Sequence, residues 1–88
     1  MKVAYTKRFL KELADVPARE RAQIEAFVFD ELPAAGSIGG TRKLEKLAGY
    51  TRFYKARFGN WRVGFQLEAD TLVIERVLDR KEIYKFFP

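Results

Sequence analysis

The 88-residue sequence predicts an α+β domain: a small antiparallel sheet with an N-terminal α-hairpin packed on one face. Three observations point there. Apolar residues recur at helical spacing between Phe9 and Leu32, with Pro17 dividing the run in two. Between Trp61 and Leu67 the period changes to two, the signature of a strand with one buried face. Gly59-Asn60 then separates two such strands by the two residues that a tight hairpin uses, because the pair accepts positive φ.

Taken in order, Lys2 to Tyr5 alternates as a short strand, with Val3 and Tyr5 on one side. Thr6 is a suitable N-cap, and Phe9, Leu10 and Leu13 follow at helical spacing until Pro17. After the proline, ARERAQIEAFVFDEL places Ile24, Phe27, Val28 and Leu32 on one stripe, and Pro33 and Gly36 end the helix. AAGSIGGTRKLEKLAGY has the small residues of a loop, with Leu44 and Leu47 pinning its second half to the core. Strands follow over Arg52–Phe58, Trp61–Glu68 and Leu72–Leu78, the last two joined at Ala69-Asp70. The order is β-α-α-β-β-β in a single domain over residues 1–88: an antiparallel meander that the first strand joins. Trp61, Val63, Phe65 and Leu67 face the helices, and the face bearing Arg62, Gly64, Gln66 and Glu68 is free.

Composition limits the chemistry. With no cysteine and no histidine, disulfides, thiol nucleophiles, the ordinary zinc ligands and the usual neutral-pH base are all absent. No metal and no cofactor is called for, and any reaction must be run by carboxylates, Lys, Arg, Tyr and backbone. No run of about 18 apolar residues occurs, and Lys7, Arg8 and Lys11 break any apolar leader, so a soluble cytoplasmic protein is expected. The net charge of +5 favours polyanionic partners. Residues 1–48 hold 9 cations and 7 anions, residues 49–88 hold 8 and 5, so the excess leans toward the C-terminal part.

That excess is concentrated in YKARFGNWRVGF, Tyr54 to Phe65, which carries Lys55, Arg57 and Arg62 and no acid. Pairing across Gly59-Asn60 puts Phe58 opposite Trp61 and therefore Arg57 opposite Arg62. Cations on strands can be merely solvated, or guard a sheet against edge-to-edge pairing. Two guanidiniums side by side repel unless an anion sits between them, and their forks match phosphate oxygens. A phosphate site on an RNA or DNA backbone is the favoured reading. Phe53, Tyr54, Tyr84, Phe86 and Phe87 interleave with these cations as possible stacking partners for bases. Phe53 and Phe86 are read as core, whereas the hydroxyl of Tyr84 suits it to donate hydrogen bonds or carry protons.

The segments KLAGYTRFYKARFGNWRVGFQ and VLDRKEIYKFF, in this order, resemble the RelE/ParE superfamily of type II toxin–antitoxin toxins, its RelE branch most of all. The resemblance spans nearly the whole chain and is most specific in Gly59-Asn60-Trp61-Arg62-Val63 followed by Arg80-Lys81-Glu82-Ile83-Tyr84. It implies a RelE-like fold and a ribosome-dependent mRNA endonuclease that cuts in the A site. The RNA's own 2′-hydroxyl would attack the phosphate, with protein cations replacing a metal. By the same resemblance Lys55 is a base or anchor, Arg57 stands where RelE has a second lysine, and Arg62 stabilises the phosphate. Arg80 is the arginine of the terminal motif, Tyr84 orients or stacks on the substrate, and Lys81 joins Lys55, Arg57 and Arg62 as an RNA contact. Asp79 departs from the pattern, standing where many relatives carry histidine; it would act as a base, pair with Arg80 or mark a nuclease activity that has been lost. The implied partners are a cognate antitoxin, the ribosome and mRNA, with operator DNA reached only through the antitoxin. A ParE-like inhibitor of DNA gyrase and an inactive RNA- or ribosome-binding module are the alternatives on the same fold.

Overall fold

The computed structural model describes residues 1–88 and has the predicted α+β class. β1 (Lys2–Tyr5) leads into α1 (Lys7–Leu13), whose N-cap Thr6 accepts from the Phe9 N–H at 3.0 Å. The same hydroxyl donates to the Glu75 carbonyl at 2.8 Å, so one side chain both starts the helix and ties it to a distant strand. α2 (Ala18–Glu25) begins after Pro17 and runs through a wider π-helical turn, Ala26–Glu31, into the short α3 (Leu32–Ala34). Pro33 has no N–H to give, and its ring crowds the carbonyl four residues back. The turn before it opens, and the Leu32 N–H bonds to the Phe27 carbonyl five residues away. Phe27, Val28 and Leu32 all remain buried, as their spacing predicts. No helix is long and apolar enough to cross a membrane.

The remaining strands are β2 (Glu45–Lys46), β3 (Phe53–Phe58), β4 (Trp61–Glu68) and β5 (Thr71–Asp79). The sheet order is β1-β5-β4-β3-β2. The meander of β3, β4 and β5 is antiparallel as expected, but β1 lies parallel to β5, with Lys2 beside Thr71 and Tyr5 beside Ile74. The sheet is therefore mixed rather than antiparallel throughout. The reason is the connection: the helices carry the chain over one face before it re-enters the sheet, and such crossovers permit parallel strands where a hairpin cannot. The loop after α3 also holds more order than its glycines suggest. It contains β2, two residues paired with Tyr54 and Lys55, which is too short to show a period.

Between the helices and the sheet lies one main core, centred on Phe9, Ile24, Phe65, Leu72 and Ile74, with Phe27 edge-on to Phe65 at 6.3 Å. In β5 the alternation slips: Leu72, Ile74 and Val77 are all buried. A bulge opposite Gly64 and Phe65 accounts for it, because Gly64 pairs with Arg76 while Phe65 pairs with Ile74 and leaves Glu75 as the extra residue. Beyond the end of β1, the exposed edge of β5 is covered by a side chain. Glu12 of α1 accepts from the Val77 N–H at 3.2 Å and takes the Arg76 guanidinium on both oxygens, at 2.7 and 3.1 Å. These side chains are only 15% and 18% exposed, so their loss would leave mostly buried polar groups unmatched.

The face opposite the helices is free only in part. A one-turn helix, α4 (Ile83–Phe86), folds back across it, and Ile83, Phe87 and Leu47 form a second small core with Phe53 and Leu78 at its edge.

Two stability measurements follow. Glu12→Ala should lower the unfolding free energy by about 2 kcal/mol in a urea titration, while Glu25→Ala, on the exposed side of α2, stays within about 0.5 kcal/mol of wild type. Glu75 has its carboxyl raised above the usual range, first by burial and then by the charge of Glu68. With the folded pKa above the unfolded one, ionisation of Glu75 removes stability as pH rises through the folded value. Glu75→Gln should accordingly stabilise the domain at neutral pH and leave it unchanged below the ordinary glutamate range.

Candidate functional site

The hairpin register is the one its turn predicts: Phe58 faces Trp61, Arg57 faces Arg62 and Lys55 faces Gly64. Gly59 takes φ +60° while Asn60 keeps an ordinary φ, the pattern of a type II′ turn. Because Ala56, Phe58 and Val63 enter the main core, Lys55, Arg57 and Arg62 emerge together on the far face.

Gly64 shapes that face. A Cβ at this position would stand 2.7 Å from the Phe87 ring, a distance that van der Waals contact forbids. Hydrogen alone lets the ring lie flat on the strand, and Phe87 is 4% exposed there, edge-on to Phe53 at 5.6 Å. With Phe87 and Ile83 seated, α4 sets Tyr84 over Lys55. Lys55 Nζ donates to the Tyr84 hydroxyl oxygen at 3.0 Å and stands 5.3 Å from the ring centroid. The Lys55 hydrogen bond holds the Tyr84 phenol below the usual tyrosine range, partial desolvation opposes it, and the charges of Lys55 and Arg62 add to the lowering. Tyr5 is the converse: burial, then the charge of Asp30, pushes it up.

The other cations occupy less committed positions. Arg62 folds back on its own turn, donating to the carbonyls of Gly59 at 2.7 Å and Trp61 at 3.0 Å. Arg57 reaches Glu45 of β2 at 3.6 Å, with both side chains well exposed, a contact worth little and easily exchanged. The two guanidiniums thus relieve their repulsion on nearby oxygens, and no intervening anion is required for the fold. Arg80 and Lys81 lie in the exposed turn after β5, which docks beside the hairpin through the Arg80 N–H and the Asn60 carbonyl at 2.8 Å. The Arg80 side chain forms no ion pair. Asp79 is not its partner, since the carboxylate accepts from the Lys81 N–H at 2.8 Å and closes the turn instead. Phe86, read as core, is 56% exposed, with the Arg76 guanidinium 5.8 Å from its ring centre. Phe53 is half-buried and Tyr54 buried, in keeping with core roles.

Sequence reasoning overlooked a feature between α4 and the turn before β3: a shallow hollow of about 310 Å³, bounded by Leu47, Tyr50, Lys55, Tyr84 and Phe87. Its only sequence signal is Gly64, a residue without a side chain in the middle of an otherwise well-filled strand.

The sequence model for the ParE toxin of the type II toxin–antitoxin system parDE matches residues 3–84. The chain belongs to the RelE/ParE superfamily of type II toxin–antitoxin toxins. Within it, Toxin RelE3 of Methanocaldococcus jannaschii is 37% identical over 89 residues, covering all of both chains. The RelB-RelE antitoxin–toxin complex from Methanococcus jannaschii has a chain that superposes with a TM-score of 0.80 at 34% identity, over 97% of this chain and 99% of that one. The RelBE2 toxin–antitoxin complex from Mycobacterium tuberculosis gives 0.66 at 27%, over 90% and 96%. The isolated E. coli RelE toxin, at 20% identity and a TM-score of 0.66 over 96% and 90% of the chains, shares the fold. The protein is thus a toxin of the RelE family.

In an ultraviolet pH titration of this toxin, one tyrosine should ionise early and one late. Lys55→Met should move the early transition up into the ordinary range and leave the late one, Tyr5, where it was. An early transition that survives in Lys55→Met would show that Lys55 does not set it.

Proposed function

We propose that this toxin is a cytoplasmic, ribosome-dependent mRNA endoribonuclease that cuts in the A site by metal-independent attack of the RNA's own 2′-hydroxyl. The observation that carries the reading is the Lys55–Tyr84 hydrogen bond of 3.0 Å on the face that also presents Arg57 and Arg62. Phosphate cleavage of this kind needs proton transfer beside concentrated positive charge, and these residues supply both.

In the reaction, the 2′-oxygen forms a bond to phosphorus and gives up its proton to water on the open face, while the bond to the 5′-oxygen breaks. Arg62 and Arg57 take the non-bridging oxygens, exchanging the turn carbonyls and Glu45 for the charge that builds in the transition state. Tyr84, whose phenol parts with its proton more readily than an ordinary tyrosine, protonates the leaving 5′-oxygen. Lys55 remains an ammonium, anchors the substrate and stabilises the phenolate left behind. Arg80 and Lys81, free in the exposed turn, contact the flanking RNA backbone, and Asp79 serves as the turn's acceptor rather than as a base.

The toxin's partner in this reading is a cognate antitoxin, as RelB is for RelE in the complexes above. A net charge of +5 suits an acidic segment folding onto it, and operator DNA would be reached through that antitoxin. Inhibition of DNA gyrase is the second reading, because the matching family description is that of ParE.

Primer extension on an mRNA in a translating ribosome mixture separates them. Wild type should give discrete A-site cuts, and Arg62→Ala should lose about 100-fold in cutting rate. No cuts from wild type, together with inhibition of gyrase supercoiling, would overturn the nuclease reading.

A further inference from the structure

A second exposed aromatic, Tyr50, lines the same hollow as Tyr84. The turn bearing it is closed by the Tyr50 N–H on the Leu47 carbonyl at 3.1 Å, with Gly49 at φ +84° inside it. The Tyr50 ring is 48% exposed, yet its inner edge is fixed. It packs edge-on to Phe53 at 5.4 Å, and Phe53 packs edge-on to Phe87 at 5.6 Å. One flank of the hollow is therefore a phenol braced by a ladder of rings, and Tyr84 of α4 also lines it, 57% exposed. Leu47, Ala48, Phe87 and Pro88 add apolar lining, and Lys55 is the one charged side chain there.

Aromatic walls with a cationic side chain and no acidic one fit a flat ring joined to an anion. At about 310 Å³ the space is at the small end for ligand sites and takes one such ring. We propose that this hollow is a nucleobase subsite, which receives the base attached to the phosphate held by the hairpin arginines, with Tyr50 stacking on it and setting base preference. The inference rests on the RNA reading above and adds a residue and a recognition element to it. An apolar side chain of a protein partner would use Leu47 and Phe87 but would have no use for Lys55 or for two exposed phenols.

The test is an NMR titration of the free toxin with each ribonucleoside 3′-monophosphate and, separately, with inorganic phosphate. Nucleotides should move the Tyr50 and Tyr84 ring resonances and the Leu47 methyls, in a base-dependent way. Inorganic phosphate should move Lys55, Arg57, Arg62 and the Tyr84 ring bonded to Lys55, and leave the Tyr50 ring and the Leu47 methyls in place. Tyr50→Ala should weaken nucleotide binding about tenfold, whereas Tyr50→Phe keeps it, because stacking needs the ring and not the hydroxyl. In the ribosome mixture Tyr50→Ala should still cut but with its preference among bases changed. Identical shift patterns for nucleotides and inorganic phosphate, or wild-type nucleotide binding by Tyr50→Ala, would overturn the subsite. The titration needs neither ribosome nor cleavage. Base-dependent shifts at Tyr50 without any mRNA cutting would sink the nuclease reading and leave the subsite standing.

Discussion

The contact of the Phe87 ring with the bare backbone of Gly64 is the constraint on which the functional face depends. A one-turn helix has almost no stability of its own, since nucleation costs more than a single hydrogen bond returns. α4 is held by tertiary packing instead: Ile83 and Phe87 enter the small second core beside Leu47. Burying a ring of that size contributes about 2 kcal/mol, enough to order one turn. The Lys55–Tyr84 contact follows from that seat, because Tyr84 meets Lys55 where Phe87 fixes α4.

The hairpin supplies the other half. A two-residue turn sets the register, and the register places Arg57 beside Arg62 and Lys55 beside Gly64. Each arginine is kept soluble in the fold by a weak acceptor, an exposed glutamate or a pair of turn carbonyls, and neither acceptor is costly to exchange for a phosphate. By contrast, the strong ion pair of the molecule, Glu12 with Arg76, is tied up in covering the edge of β5 and is far less exposed. Strong pairing thus serves the fold, while the arginines of the opposite face are held only by weak, exposed contacts.

Much of this was legible in the chain. Helical spacing at Phe9, Leu13, Ile24, Phe27 and Leu32, alternation from Trp61 to Leu67 and the Gly59-Asn60 turn determine the elements and the hairpin register. Three features were not. The parallel setting of β1 depends on how the helices cross the sheet, which no local period encodes. The bulge at Glu75 shifts the phase of β5 through its pairing with β4, so Leu72, Ile74 and Val77 look irregular until the partner strand is known. The fate of the C-terminal aromatics turns on Gly64: Phe87 is buried because a glycine lies beneath it, and Phe86, next in sequence, is left outside with Arg76. For the site, residue types were readable and their pairing was not. Lys55 and Tyr84 are 29 residues apart, and only the path of α4 joins them.

The most direct measurement is proton cross-relaxation by NMR between the Lys55 side-chain terminus and the Tyr84 ring, in wild type and in Gly64→Ala. Seating by Phe87 predicts clear cross-peaks in wild type. It also predicts their loss in Gly64→Ala, with the cross-peaks among Phe9, Ile24 and Phe65 of the main core retained. Lys55–Tyr84 cross-peaks of undiminished strength in Gly64→Ala would show that α4 finds its place without the glycine, and would contradict the constraint from which the site has been built.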